Sequence, residues 1–377
     1  EGDSEWTRYE TTFTPEASRN GLYQVLLCGP DTGGMWLDAV QIERGAEATD
    51  FTDGERNIVS NPSFENGLSR WMRGSGEENP LRNAVIEYDH AFAPELYLNE
   101  QASEERARSM IQQRLVRLPE GWSRYYPGVA QKALIVLSIG DCTLRYSNDR
   151  RPDVNYKVLL DMQMHALATE SAENLRGVGF WSAHYGSLEA LRWYGALFRH
   201  YCIEGSPERL TDDPYLLDHV ANPGFEEGLE GWETEGTVET MAVADMPEGG
   251  PRGRYAGVPE GEQVIRTERA EGGEANSFGR PIRDLEEGRL YSVKFYCADP
   301  DYAARLIPAE ITTEGGELVP EYTWDNYWQI GGGGDVYWTM HRRVFRATGE
   351  EGHLTISDAE PGEVYWDFVE VEPFYAG

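Results

Sequence analysis

The chain has 377 residues, which is long enough for two or three domains. Hydrophobic residues make up 40% of the chain and aromatic residues 12%, so the sequence can build folded cores and is not of the disordered class. Its formal net charge of −33 would repel phosphate backbones and anionic membrane surfaces, which argues against a nucleic-acid partner. No apolar stretch of the sequence approaches the length of a membrane span.

Alternating apolar and polar residues mark the first 50 residues as β-structure. The stretch WTRYETTFTP (Trp6 to Pro15) is followed by GLYQVLL, and then by MWLDAVQIE, which carries Asp38. Alternation at period two predicts half-buried antiparallel strands. The same order returns near the other end of the chain as WTMHRRVFRA (Trp338 to Ala347), GHLTI and VYWDFVEVE, which carries Asp367.

A second repeat shows where a complete β-domain begins. NPSFENGLSRW (Asn61 to Trp71) and NPGFEEGLEGW (Asn222 to Trp232) share most of their residues. The second copy is followed by about 155 residues, which is the size of a jelly-roll sandwich. The first copy is followed within about a dozen residues by a different pattern, so no sandwich fits there. We therefore expect the chain to be a fragment, or one half of a shared fold.

The middle of the chain alternates buried strands with helices. The apolar runs NAVIEY (83–88), KALIVLSIG (132–140) and GVGFW (177–181) each precede a helical pattern, and the predicted helix N-caps are Ser103, Asp153 and Ser187. Strands alternating with helices predict βα units and a parallel sheet. Three such units suit part of a (β/α)₈ barrel, and a complete small α/β layer is the alternative.

These motifs resemble known families. NPGFEEGLEGW, the W-T-x-x-x-x-x-F strand and the closing W-D-x-V-x-V strand resemble the β-sandwich (jelly-roll) carbohydrate-binding modules that accompany xylanases and glucanases. LRGVGFWSAHYGSLEALRWYGALFRHY resembles the last strand and helix of a glycoside-hydrolase (β/α)₈ barrel. The implied fold is multidomain, with all-β jelly-roll sandwich modules and an α/β, partly TIM-barrel-like region. The implied domains are the C-terminal strands of one sandwich (1–56), a linker or lone strand (57–82), the α/β region (83–210) and a complete sandwich module (219–377).

Glycoside hydrolysis needs two carboxyl groups across the scissile bond, and in a barrel these lie at the carboxyl ends of strands. Candidate catalytic carboxylates at such positions are Glu87, Asp89 and Asp141. Candidate substrate-binding residues on the same rim are His90, Trp181, His184 and Tyr185. Each carboxylate has the alternative interpretation of a loop cap or a salt-bridged residue. Asp161 lies inside a predicted helix and is interpreted as a surface or pairing residue.

Two further sites follow from the resemblance to the binding modules. Glu226 and Asp367 match positions that in such modules help to hold a structural calcium ion, which prefers six to eight oxygen ligands. The alternative is a pair of solvent-facing acids. Trp324 and Trp328 are the expected exposed rings of a sugar-binding face, because aromatic rings serve as platforms for pyranose rings, while Trp338 is expected in the core.

The cysteine spacing and the absence of several sequence motifs limit the kinds of metal, cofactor and catalytic site that the sequence predicts. Cys28, Cys142, Cys202 and Cys297 form no CxxC pair and match no zinc-site spacing. Cys142 and Cys202 could pair, but four unpaired buried thiols are the favoured interpretation. No GxGxxG, P-loop, HExxH or GxSxG motif occurs in the required context, so no organic cofactor is expected.

The sequence thus predicts a modular, secreted or cell-surface glycoside hydrolase, or a fragment of one, that acts on a polysaccharide through two carboxylates. One alternative is a non-catalytic glycan-binding or adhesion protein. Another is a structural assembly protein whose incomplete sandwich is completed by another chain, which includes a homo-oligomer.

Overall fold

The structure is a computed structural model that describes residues 8–12, 40–43, 49–51, 93–118, 128, 130–138, 151–171, 175–181, 186–247, 261–302, 305–330 and 336–377. Only the backbone is described for residues 327–330 and 336–337. The chain divides into two compact units, Glu1–Phe92 with Trp122–Ala133, and Ala93–Gly121 with Leu134–Gly377. No helix in the described ranges is both long and apolar enough to cross a membrane.

The described part of the first unit is small. The Arg8 guanidinium donates to the carbonyl oxygen of Thr49 at 2.6 Å, and Thr49 donates its backbone N–H to Glu43 at 2.5 Å. Residues 8–12 and 40–43 lie in predicted strands, but the structure assigns them no regular secondary structure. A short 3₁₀ turn covers Ala130–Lys132.

Helix α1 (Glu104–Ile111) opens the described α/β part of the second unit. Ser103 is its N-cap, as predicted, and its side chain accepts from the backbone N–H of Arg106 at 3.3 Å. Glu104 and Glu105 lie in the first turn, where negative charge is favourable to the helix dipole. The helix continues as a π-helical turn over Gln112–Val116.

Two parallel strands and two helices form the rest of the α/β region. They are β1 (Leu134–Ser138), α2 (Tyr156–Thr169), β2 (Gly177–Trp181) and α3 (Leu188–Leu197), with a π-helical turn at Phe198–Ile203. Strand β1 pairs with β2 in parallel, and an isolated parallel bridge joins Glu95 to Val136 on its other side. The predicted parallel pairing of these two apolar runs is confirmed. The described residues show this small parallel sheet and no barrel.

The caps of α2 and α3 correct one prediction and confirm another. Ser187 caps α3 and accepts from the backbone N–H of Ala190 at 3.1 Å, as predicted. The cap of α2 is Asn155, whose side chain accepts from Val158 N at 3.4 Å, and not Asp153. The Asp153 carboxylate is instead bound by the Arg151 guanidinium at 2.9 and 2.6 Å, so it is not available to the helix.

The predicted β-sandwich is confirmed as a fold, in the C-terminal part of the chain. Its strands are β3 (Glu233–Glu235), β4 (Val238–Ala242), β5 (Gln263–Arg269), β6 (Ser277–Ile282), β7 (Leu290–Ala298), β8 (Ala309–Glu314), β9 (Gly316–Leu318), β10 (Trp324–Ile330), β11 (Val336–Ala347), β12 (Gly352–Asp358) and β13 (Gly362–Pro373). One sheet has seven strands in the order β10-β11-β7-β13-β5-β4, with β9 beside β11, and the other has the order β3-β6-β12-β8. All the pairings within these two sheets are antiparallel.

Alternation along the strands builds two apolar layers. In β7, Phe295 and Cys297 face the core between the sheets, while Tyr296 and Ala298 belong to a second cluster on the opposite face of the seven-stranded sheet. Phe278 is in edge-to-face contact with Phe225, Trp232 and Trp366 in the core. Burial of each of these rings contributes about 2–3 kcal/mol, so aromatic packing is a principal support of the sandwich.

The outer face of the seven-stranded sheet also carries buried charges, which meet the helices of the α/β region. Lys294 on β7 pairs with Glu370 and Glu372 on β13. Lys157 on α2 contacts Glu372 at 2.8 Å and Glu189 on α3 at 3.0 Å. Because these side chains are almost fully buried, the helices and the sandwich share one desolvated ionic interface.

Candidate functional site

The carboxyl ends of β1 and β2 lie side by side. Their register places Ser138 opposite Trp181, which is the last residue of β2. Trp181 is 45% exposed, so a large apolar ring faces solvent at this edge. The Tyr156 hydroxyl, at the start of α2, donates to the Ser138 carbonyl oxygen. Carboxyl ends of parallel strands are the usual position of ligand sites in α/β folds.

Most of the predicted catalytic and rim residues lie outside the described residues. This applies to Glu87, Asp89, His90, Asp141, His184 and Tyr185. In sequence, Asp141 follows Ser138, the end of β1, by three residues, and His184 follows Trp181 by the same interval. The predicted catalytic and substrate-binding roles, including that of Trp181, therefore remain predictions.

Two buried carboxylates near this edge, Glu189 and Glu372, are absent from the sequence-based candidates. Glu189 accepts from Lys157 Nζ at 3.0 Å and from the backbone N–H of Tyr375 at 2.8 Å, and Arg342 lies 3.5 Å from its other oxygen. Burial alone would lower the pKa of Lys157, but Glu189 and Glu372 outweigh burial and raise it. Lys157, Arg342 and the Tyr375 N–H occupy both oxygens of Glu189, and Lys157 and Lys294 occupy those of Glu372, which suits a structural role. Strand alternation in β13 is the only sequence signal that places Glu372 on the outer face of the sheet, where the helices bury it.

A cavity of about 10 Å³ lies beside this cluster, lined among others by Tyr156, Lys157, Glu189 and Glu372. It has room for about one water molecule and is too small for a sugar ring. Substrate contact at this edge therefore depends on the exposed side, where Trp181 lies.

Asp161 is a pairing residue, as one of its interpretations required, but it is not on the surface. It is fully buried and accepts from the Tyr201 hydroxyl at 2.6 Å, from Arg209 Nε at 3.3 Å and from the backbone N–H of Leu210 at 3.1 Å. Burial, followed by the hydrogen bond to Asp161, raises the pKa of Tyr201. Asp161 thus ties α2 to the chain that follows α3.

The expected sugar-binding tryptophans of the sandwich are only partly described. Trp324 is half-buried against the outer aromatic cluster, and the Arg342 guanidinium lies 5.4 Å from the centre of its ring. Trp324 is therefore less exposed than the sequence predicts, because one strand face of β10 packs on this second apolar layer. Trp328 pairs with Trp338 across β10 and β11, but its side chain lies outside the described residues. Trp338 is fully buried, as predicted.

Polar groups border the same outer face. Glu363 accepts from Arg266 Nε at 2.6 Å and from the Tyr365 hydroxyl at 2.8 Å. The hydrogen bond from Arg266 lowers the pKa of Glu363 and keeps it ionised. Arg266 also contacts Glu239 and Glu268, so these side chains form an ordered charged border beside the aromatic cluster.

The predicted calcium pair lies in two neighbouring segments. Val369 N donates to the Pro223 carbonyl at 2.9 Å, which brings the chain around Glu226 next to the chain around Asp367. Asp367 is fully buried, and Glu226 Oε1 accepts from the backbone N–H of Glu262 and Gln263 at 2.9 and 3.0 Å. Within the described residues no group of three or more His, Cys, Asp or Glu could hold a metal ion. A calcium ion at Glu226 and Asp367 would thus need further oxygen ligands from backbone carbonyls, amide side chains or water.

The backbone on both sides of this pair is strained. Asn222, Phe225 and Phe368 have positive φ angles of 47°, 58° and 58°. Left-handed backbone is costly for non-glycine residues and persists where surrounding contacts hold it in place. A β-bulge in β13 between Asp367 and Glu370 accompanies this geometry.

The described cysteines are free. Cys297 is buried, as predicted, while Cys202 is exposed, contrary to the expectation that all four thiols are buried. Burial raises the pKa of the Cys297 thiol well above its ordinary value, so it is protonated and unreactive. The Cys142 side of the possible pairing lies outside the described residues.

Comparison with known proteins gives similarity to solved structures alone. No protein-family profile matches the chain. No curated protein sequence matches it either.

Among solved structures, the enzymatically active domain of bacteriophage CBA120 tailspike protein 4 is 13% identical, with a TM-score of 0.28 over 65% of this chain. The chain covers 30% of that domain. The CBM22-1 xylan-binding domain of Paenibacillus barcinonensis Xyn10C is 18% identical, with a TM-score of 0.26, over 41% of this chain and 93% of that domain. The C-terminal family 22 carbohydrate-binding module of Clostridium thermocellum Xyn10B is 15% identical, with a TM-score of 0.23, over 41% of this chain and 96% of the module.

Proposed function

We propose that this protein is a carbohydrate-active protein of the secreted or cell-surface class. In this proposal the α/β region hydrolyses a polysaccharide at the carboxyl edge of its parallel strands, as part of a glycoside-hydrolase barrel. The sandwich serves as the attached carbohydrate-binding module. The catalytic carboxylates would come from Glu87, Asp89 and Asp141, with one acting as the acid and another as the nucleophile or base.

One observation carries this proposal: Trp181 exposes its ring at the end of β2, level with the end of β1. An exposed indole at the carboxyl edge of parallel strands is a suitable platform for the apolar face of a pyranose ring. The sequence after each of these two strands supplies polar residues, namely Asp141 after β1 and His184 with Tyr185 after β2.

The test is release of reducing sugar from xylan, β-glucan, mannan and galactan by the full chain. We expect activity on at least one of them, and a loss of at least about tenfold in kcat/KM for Trp181→Ala, equal to about 1.4 kcal/mol. The matched control is Tyr9→Ala, which removes an aromatic ring that is 90% exposed elsewhere. The variants Glu87→Gln, Asp89→Asn and Asp141→Asn identify the two reacting groups, since loss of either must abolish turnover.

A second candidate is glycan binding without hydrolysis. Trp324, half-buried on the outer face of the sandwich with the Arg342 guanidinium 5.4 Å from its ring centre, favours it. Retention on polysaccharide-containing gels with no sugar release would support this candidate over catalysis. In that case Trp324→Ala should weaken retention, whereas no retention and no release on any polysaccharide would reject both functions.

A further inference from the structure

A separate pocket of about 220 Å³ lies in the α/β region, between α1 with its π-helical turn, the second half of α2 and the chain around Arg209. Drug-sized ligands occupy pockets of about 300–1,000 Å³, so this one suits a smaller compound. None of the residues assigned above to sugar hydrolysis, glycan binding or calcium lines it.

One wall of the pocket is apolar. Ile111 at the end of α1, and Met162 and Ala166 on α2, contribute it. Met162 and Ala166 lie one helical turn apart and face α1, because residues i and i+4 share a helix face. A ligand that enters must therefore present carbon–hydrogen surface on this side.

The opposite side offers an unused hydrogen-bond donor. Arg209 Nε lies 3.3 Å from Asp161, and Arg209 Nη1 lies 3.6 Å from Glu104. Arg209 Nη2 is buried and has no hydrogen-bond partner among the described residues. A buried donor without an acceptor costs about 1–3 kcal/mol, and a ligand oxygen would remove that cost once the partly exposed Arg209 side chain turns Nη2 towards the pocket.

His165, which lines the same pocket, supplies an acceptor. Its Nε2 lies 3.0 Å from the Pro207 carbonyl oxygen, which can only accept, so Nε2 carries the hydrogen and Nδ1 of the neutral ring is an acceptor. At the rim, Gln112 donates to the Glu170 carboxylate. The lining therefore offers both donors and acceptors, which is what a hydroxyl group needs.

The charges around the pocket favour an uncharged ligand. Its lining includes the guanidinium groups of Arg108 and Arg209. The Glu104 carboxylate contacts both guanidinium groups, and the Asp161 carboxylate contacts that of Arg209. Glu170 adds a third carboxylate at the rim. An anion would add negative charge to a site whose cations are already compensated, in a chain of formal net charge −33.

We propose that this pocket binds an uncharged polyhydroxy compound the size of one sugar ring. Its carbon–hydrogen face packs on Ile111, Met162 and Ala166. One of its oxygens accepts from Arg209 Nη2, and a hydroxyl group donates to His165 Nδ1. The inference does not depend on hydrolysis at the strand edge, because it uses none of the same residues.

The experiment titrates the full chain with glucose, xylose, galactose and sodium glucuronate, using saturation-transfer NMR to detect binding and calorimetry to measure Kd. Ala166→Leu fills the pocket without removing a charge, and we expect it to weaken binding at least tenfold. Arg106→Gln, an exposed change on the same helix as Ile111 but outside the pocket, is the matched control and should stay within twofold. Trp181→Ala should also leave this binding unchanged, which separates it from the proposed hydrolysis.

Three results would overturn the proposal. The first is that none of the neutral sugars binds the wild-type chain. The second is that binding persists unchanged in Ala166→Leu, with a melting temperature showing that the variant is folded. The third is that glucuronate binds at least tenfold more tightly than every neutral sugar and loses its binding in Ala166→Leu, which would assign the pocket to an anion.

Discussion

Lys157 Nζ lies 2.8 Å from Glu372 Oε2, and this ion pair joins the first turn of α2 to the last strand of the sandwich. Both side chains are nearly buried, at 13% and 2% exposure. The same ammonium also contacts Glu189 on α3, so one cation holds two carboxylates from different elements. Buried ion pairs therefore connect the helices to the sandwich.

Removing this cation should be costly. We expect Lys157→Met to lower the free energy of unfolding of the full chain by about 3–5 kcal/mol, because Glu189 and Glu372 remain buried with less compensation. Urea unfolding followed by tryptophan fluorescence measures the change. Arg114→Met, at an exposed position of the π-helical turn, is the control and should stay within about 0.5 kcal/mol. Equal stability of the two variants would contradict the coupling.

The hydrogen bonds of the buried Asp161 carboxylate predict that two substitutions destabilise the chain by different amounts. Asp161→Asn should destabilise the chain by about 2–3 kcal/mol, since an amide nitrogen cannot accept from the backbone N–H groups of Leu210 and Thr211. Tyr201→Phe removes only one hydrogen bond to the same carboxylate and should cost about 1 kcal/mol. Thermal unfolding of both variants checks the order, and a larger loss for Tyr201→Phe would reverse it.

The Asp325 carboxylate should make the folding stability of the sandwich fall at acid pH. Burial alone would raise its pKa, but hydrogen bonds from His341 and Arg343 outweigh burial and lower the pKa from 3.8 to about 2. A carboxyl with a lower pKa in the folded chain adds stability above its unfolded pKa and loses it as the pH falls from about 4 towards 2. Its side chain is 33% exposed, so we expect about 1 kcal/mol after allowing for solvent screening.

The measurement is the melting temperature of wild type and Asp325→Asn between pH 2 and pH 7. The wild type should lose its advantage over the variant as the pH falls below about 4. Asp301→Asn, at an exposed position, is the control and should follow the wild type. If the melting temperatures of wild type and Asp325→Asn differ by the same amount at every pH, this carboxylate does not cause the loss of stability at acid pH.

Calcium binding at Glu226 and Asp367 is testable by chelation. If the ion is bound, EDTA should lower the melting temperature of the full chain, and excess calcium should restore it. An ion at 100 times its Kd stabilises a protein by about 2.7 kcal/mol. Glu226→Gln and Asp367→Asn should lose the response to calcium, while Glu227→Gln, the exposed neighbour, should keep it. A wild-type melting temperature that ignores both EDTA and calcium removes the ion from the proposal.

The strands and helices can be predicted from the sequence because they depend on local periodicity. Ser103 and Ser187 cap their helices as predicted, and the runs around Leu134 and Gly177 pair in parallel. The cap of α2 lies two residues beyond the predicted Asp153, since the competing partner of Asp153 is a side chain whose direction local pattern does not give. Trp324 is less exposed than the sequence predicts, because alternation indicates two faces but not that both faces of this sheet are covered.

The sequence by itself predicted the sandwich, the parallel pair and the buried position of Trp338, because strand periodicity, strand–helix alternation and repeated motifs are all visible without coordinates. The tertiary structure alone decided that Lys157, Glu189 and Glu372 meet, that Asp161 is buried, and that Arg209 lines a pocket. These contacts join residues far apart in sequence. Their energies depend on burial and distance, which periodicity does not encode.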